Sequence, residues 1–184
     1  MEENKVNIWS EASVPGLILG AVSIAYLLLN SLMTGLAGTG MLAFLIGTLT
    51  FIVWAGKFVL CIWLFGFFQK KFATTHSITE RKQIFRYGMV VAGLSALLYS
   101  VFSLAYMLYI NPEALNASFD LAMQQYSTML DPATLESMEN LRSDMPVATF
   151  VANLLWCFLF GTILSAIFSA KLAPGSDNPF IDEQ

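Results

Sequence analysis

Charge is scarce in this sequence. Only 12% of its 184 residues are Asp, Glu, Lys or Arg, against roughly 25% in a soluble domain. Half the usual charge cannot dress an ordinary water-facing surface. Histidine is nearly missing as well. The single His76 falls in a polar stretch with no Cys/Asp/Glu cluster beside it, so no metal site is expected. The two cysteines, Cys61 and Cys157, sit in apolar runs at different expected depths. No disulfide is expected between them, and without a CxxC there is no sign of redox work. The net charge of −4 argues against a nucleic-acid partner. Enzyme signatures are missing too: no Gly-rich phosphate loop, no GxSxG, no HExxH and no carboxylate pair inside an apolar run. No catalytic residue and no cofactor can be assigned, and a non-catalytic role is the stronger expectation.

What is present is apolar: 57% of the chain. It is grouped into four runs, each long enough for about 30 Å of hydrocarbon. The expected fold is an all-α membrane protein, a single membrane domain over 1–184. Its transmembrane helices are placed at about 15–33, 41–68, 87–110 and 147–171. Residues 1–13 are polar and acidic and do not read as a cleavable signal. Trp9 suits a membrane–water interface. Ser13 is placed as the N-cap of span one with Pro15 in its first turn. Span two follows a Gly-rich turn (Gly35, Gly38, Gly40) and is long enough to tilt or protrude. Ser77-Ile78-Thr79-Glu80 has capping-box spacing ahead of span three. Pro146 fits the first turn of span four. The tail, 173–184, reads as loose.

Lysine and arginine set the orientation. The loop between spans two and three carries Lys70, Lys71, Arg81, Lys82 and Arg86, whereas 111–146 carries Arg142 among six acidic residues. The basic loop is therefore expected in the cytoplasm, together with both termini. The acidic segment is expected outside. That outer segment is patterned as two short amphipathic helices. Asn111-Pro112 starts the first, with Leu115, Phe119, Ala122, Met123, Tyr126 and Leu130 at helical spacing. Asp131-Pro132 starts the second, with Leu135, Met138 and Leu141 on one side. They read as a cap over the bundle mouth, with a docking face for a partner as the sharper alternative.

One residue breaks the apolar pattern. Lys57 lies well inside span two, near mid-bilayer and far for a lysine to snorkel. A charge at that depth costs about 3 kcal/mol or more and is by default a functional-site hypothesis. No Asp or Glu lies in any span to pair with it. Three fates are open: a neutral amine, bonds to groups at similar depth such as Ser95, Tyr99 or Ser103, or an anionic ligand or carboxylate from another chain. Asn153 in span four and Asn30 in span one read as interhelical glue. Small residues recur at fourfold spacing: Gly16 and Gly20; Gly88, Ala92 and Ala96; Gly161, Ser165 and Ser169. They permit close backbone approach, within the bundle or in an oligomer. The basic loop could also meet anionic lipid or a cytosolic protein.

Several segments together resemble a family of small four-helix membrane proteins widespread in Bacteroidota and known as a domain of unknown function. They are the Trp9–Gly20 entry, the lysine in span two, the Tyr109-Ile110-Asn111-Pro112 exit from span three, and Gly161-Thr162-Ile163-Leu164-Ser165-Ala166-Ile167. The resemblance implies a bacterial inner-membrane location and supplies no catalytic residue. It also implies, by gene neighbourhood, a polyprenyl-phosphate glycosyltransferase as partner, with Lys57 meeting a lipid phosphate or a carboxylate in the complex. A small transporter or channel with Lys57 lining a polar path is the alternative.

Overall fold

The computed structural model describes residues 7–36, 41–126, 129 and 131–173. Among these described residues there are six α-helices: α1 (Ile8–Leu36), α2 (Met41–Thr75), α3 (Arg81–Ala105), α4 (Pro112–Tyr126), α5 (Pro132–Asn140) and α6 (Met145–Leu172). A π-helical turn, Tyr106–Ile110, extends α3, and a 3₁₀ turn, Leu141–Asp144, joins α5 to α6. Helices α1, α2, α3 and α6 are long and apolar enough to cross a membrane, and the protein is a multi-pass membrane protein. The two short helices predicted between spans three and four are α4 and α5. Asp131 caps α5, accepting from the Thr134 backbone N–H at 2.7 Å. That bond holds the Asp131 carboxyl below its usual value, so the cap is complete at neutral pH and is lost only as pH falls through that lowered pKa.

The four long helices form a ring in the order α1, α3, α6, α2. Helix α3 packs along both α1 and α6, while α2 touches its neighbours far less. Small residues explain the difference. A Cβ added at Gly16 would lie 2.7 Å from the Leu94 Cβ, and one at Gly20 would lie 2.6 Å from Leu98 Cδ2, so α1 rides directly on α3. On the other side a Cβ at Gly161 would collide with Ala92, and one at Gly88 with Ser165 and Gln69. The fourfold small-residue rows thus serve the internal bundle. At Gly47 and Gly56 of α2, an added Cβ would meet nothing within 4 Å.

The core lies in the half of the bundle nearest the lysine-rich end, built from Ala12, Leu19, Phe65, Phe72, Tyr87, Val91 and Ala92. The Phe72 and Tyr87 rings stack with centroids 3.9 Å apart. His76 sits beside them, with Nε2 3.6 Å from a Glu11 carboxylate oxygen. In the same half a buried polar knot joins three helices: the Gln69 amide donates to Ser165 Oγ, and Ser165 donates to the Phe85 carbonyl, each at 2.9 Å. At the other end Arg142 clasps the short helices. It pairs with Asp120 at 2.5 Å and Glu139 at 2.9 Å and lies over the Phe119 ring.

Three local expectations need correction. Helix α1 starts at Ile8, not near Pro15, with Asn7 accepting from the Ser10 N–H. Ser13 is therefore inside the helix, where its hydroxyl donates to the Ser10 carbonyl. The capping box does not form. Ser77 instead has φ 51° and closes the end of α2, with Ile78 N donating to the Ala73 carbonyl and Ser77 N to that of Thr74. This is the left-handed C-terminal motif usually made by glycine, and Ile78 packs back on Ala73 and Ile84. Helix α3 then begins at Arg81, and Glu80 gives it no side-chain cap. Finally, α2 runs on to Thr75, so the five basic residues are on the ends of α2 and α3 rather than in a loop. Its 35 residues measure roughly 52 Å, and it projects beyond the hydrocarbon.

Two substitutions check this arrangement. Ser77→Gly removes a left-handed backbone penalty and should stabilise by about 0.5–1 kcal/mol, read as a higher thermal midpoint in detergent. Gly88→Ala should cost about 1–3 kcal/mol by overpacking the α3–α6 seam.

Candidate functional site

Lys57 opens into a cavity of about 410 Å³ walled by all four long helices. Helix α1 supplies Leu19 and Ser23, and α3 supplies Ala92 and Ser95. Helix α2 contributes Trp54, Lys57, Phe58, Cys61 and Phe65, and α6 contributes Trp156, Cys157, Phe160, Gly161 and Leu164. The walls nearest α3 are buried. The rim is not: Trp54 is 46% exposed and Trp156 74%. The cavity therefore opens sideways, between α2 and α6.

The reason lies in how those two helices part. At the lysine-rich end they are knit by the Gln69–Ser165 bond and by Phe168, which rests against Gly66 and 6.5 Å from the Phe65 ring. The Phe58 and Phe160 rings meet at 5.1 Å. Beyond that pair, toward the acidic end, α2 presents Phe44, Leu49, Phe51 and Ile52, all exposed. Lys57 thus sits where α2 leaves the bundle.

The lysine is short of partners. Its Nζ lies 5.4 Å from the Tyr26 ring centroid, a cation–π contact that desolvation raises to about 2 kcal/mol. That falls short of the cost of the charge, about 3 kcal/mol or more. Among the described residues Lys57 makes no ion pair and no hydrogen bond. The apolar stretches of the four long helices hold no Asp or Glu: Glu11, in the first turn of α1, is followed in sequence by Glu80.

The sequence-derived partners are only partly assembled here. Ser95 lines the cavity. Tyr99 does not, although it is within electrostatic range of Tyr26 and Cys157. Ser103 is engaged elsewhere, accepting from the Asn153 amide at 3.3 Å. Asn153 is thus α3–α6 glue away from the cavity. Near the acidic end Tyr106, in the π turn, bonds Ser31 of α1 and accepts from Asn111. Lys70, Lys71, Lys82 and Arg86 are exposed at the far end, with Arg81 half-buried there, and none reaches the cavity. The cysteines are a correction: Cys61 and Cys157 line one cavity rather than lying at separate depths.

Tyr26 was missed by sequence reading, as were the two rim tryptophans. Trp54 and Cys61 stand three and four positions from Lys57 and so share its helix face, a signal the sequence does carry. Nothing local marks Tyr26, which is brought in by the packing of α1 on α2. Because the charge is under-compensated, Lys57→Met should stabilise the isolated protein, raising its thermal midpoint in detergent by the equivalent of about 1–3 kcal/mol, while Lys57→Arg should not.

No curated protein and no solved structure matches the chain. A family model described as a protein of unknown function, DUF4199, matches residues 15–172. That match takes in α1 from Pro15 onward, the other three long helices, the lysine cavity and both short helices, and the chain belongs to the DUF4199 family.

Proposed function

We propose that this protein is a non-catalytic accessory subunit of a complex in a bacterial inner membrane, and that the Lys57 cavity is where it engages its partner. The observation that carries this reading is a mid-span lysine in a side-opening cavity with no carboxylate in its own spans. Such a charge destabilises the free protein, and intramembrane charges of this kind are characteristically paired and functional. The cavity is lined by aromatic and aliphatic groups with few polar ones. Its titratable groups are Lys57 and the thiols of Cys61 and Cys157, with no carboxylate and no histidine among its lining residues.

The lysine-rich end, with Lys70, Lys71, Lys82 and Arg86 on two helix ends, is assigned to the cytoplasm by the positive-inside rule. That assignment puts both termini inside and α4 and α5 outside. A basic cytoplasmic face of this kind suits a membrane-associated enzyme acting on an anionic lipid, and a polyprenyl-phosphate glycosyltransferase is the partner we put forward.

Purification of the full chain from native membranes in mild detergent, with mass spectrometry of what accompanies it, tests the proposal. The expected result is a glycosyltransferase in stoichiometric yield, reduced at least fivefold by Lys57→Met at unchanged subunit level. A chain that purifies alone would remove the accessory reading. Lys57-dependent solute flux in proteoliposomes would replace it with a transporter.

A further inference from the structure

Resting on that accessory role, the shape and charge of the cavity narrow down what enters it. We propose that the cleft between α2 and α6 receives a transmembrane helix of a partner protein, and that this helix carries an aspartate or glutamate at mid-span to pair with Lys57.

Three observations select this occupant. The first is the cleft itself. Helices α2 and α6 are joined through Phe58–Phe160 and the contacts on its lysine-rich side, and they part toward the acidic end, where α2 is exposed along Phe44, Leu49 and Ile52. The exposed stretch of α2 from Met41 to Lys57 is roughly 24 Å long, the scale of a helix crossing a large part of the bilayer. The cavity takes over from there, lined from Trp54 to Phe65 on α2 and from Trp156 to Leu164 on α6, with the exposed Trp54 and Trp156 on its rim.

The second is charge. The ligand must bring a negative group, because Lys57 has none in its own spans. A second copy of this chain cannot supply it, since its four spans are equally without carboxylates. Two Lys57 side chains brought together would repel.

The third is depth. Counting along α2, Lys57 is more than roughly 15 Å from the Phe68 end and farther from Met41. A lipid phosphate stays at the interface and does not descend to that level. A carboxylate fixed on a helix is held at its depth by the backbone, which alone places an anion in mid-bilayer. Once paired there, the two charges offset much of each other's desolvation, and single-partner removal leaves the other exposed to the full cost.

The test uses the full chain in phospholipid nanodiscs and a Leu/Ala-rich transmembrane peptide with one central Glu. Parallel peptides carry Gln or Leu at the centre, or Glu near one end. Association is read by energy transfer between a label on the peptide and one on the protein. The central-Glu peptide should bind at least tenfold tighter than the Leu and end-Glu peptides. Lys57→Met should erase the difference, and Lys57→Glu should transfer the preference to a central-Lys peptide. Equal binding of all peptides, or indifference to Lys57→Met, overturns the proposal. In native membranes a photoreactive phenylalanine analogue at Trp54 or Trp156 supplies a second reading. An adduct mapped to a membrane-spanning peptide with a mid-span acid supports the proposal, and adducts to lipid or to another copy of this chain overturn it. A partner that co-purifies regardless of Lys57 leaves the accessory role standing but removes both the cavity as its docking place and this helix pairing. Charge-dependent peptide binding without any co-purifying enzyme does the reverse.

Discussion

Everything in this bundle depends on how closely α3 can approach its two neighbours. Within a membrane there is little hydrophobic gain in bringing apolar helices together, so association rests on van der Waals contact and interhelical hydrogen bonds. Gly16 and Gly20 let α1 lie on Leu94 and Leu98, and Gly88, Ala92 and Gly161 do the same for α3 and α6. Polar groups reinforce the second seam at two levels, Asn153 with Ser103 and Ser165 with the Phe85 carbonyl. The three helices α1, α3 and α6 form the closely packed part of the molecule.

Helix α2 has no such row. Its glycines at 47 and 56 face open space, and bulky residues cover much of the rest. It is held over its last half by the Phe58–Phe72 region and by Gln69, which is 1% exposed and reaches Ser165. Its first half therefore stands away from α6. The side opening at Lys57 follows directly from where the small residues are and where they are not. Among the described residues the buried Gln69 carbonyl oxygen has no hydrogen-bond partner, so even the knot that anchors α2 is not fully satisfied there. The join between α2 and the rest is accordingly the weakest in the bundle.

The same division orders the two ends. At the lysine-rich end the chain is tightly finished: Ser77 reverses the backbone, Ile78 folds back, and Glu11 faces His76 across Phe72 and Tyr87. At the acidic end the connection is long and clasped by Arg142, whose guanidinium spans Asp120 and Glu139. One end fixes helix positions, while the other leaves the mouth of the α2–α6 cleft to the membrane.

The four spans, the two short helices and the isolation of Lys57 were all legible from composition and periodicity, because hydrophobic length and the lack of carboxylates are one-dimensional properties. Helix ends were less so. Asn7 and Ser13 are both good caps by type, and choosing between them needs the backbone; Ser77 looks like the start of α3 but closes α2, since a serine can serve either role. Which residues meet Lys57 could not be read at all. Tyr99 and Ser103 share its approximate depth, yet Tyr26 faces it, because azimuth around a helix axis is set by the neighbour it packs against. Composition and periodicity were enough to count four membrane-spanning stretches and to find a lysine inside one of them with no carboxylate in any span. That this lysine sits in a side-opening cavity depends instead on α2 failing to close against α6, a packing outcome that no local pattern encodes.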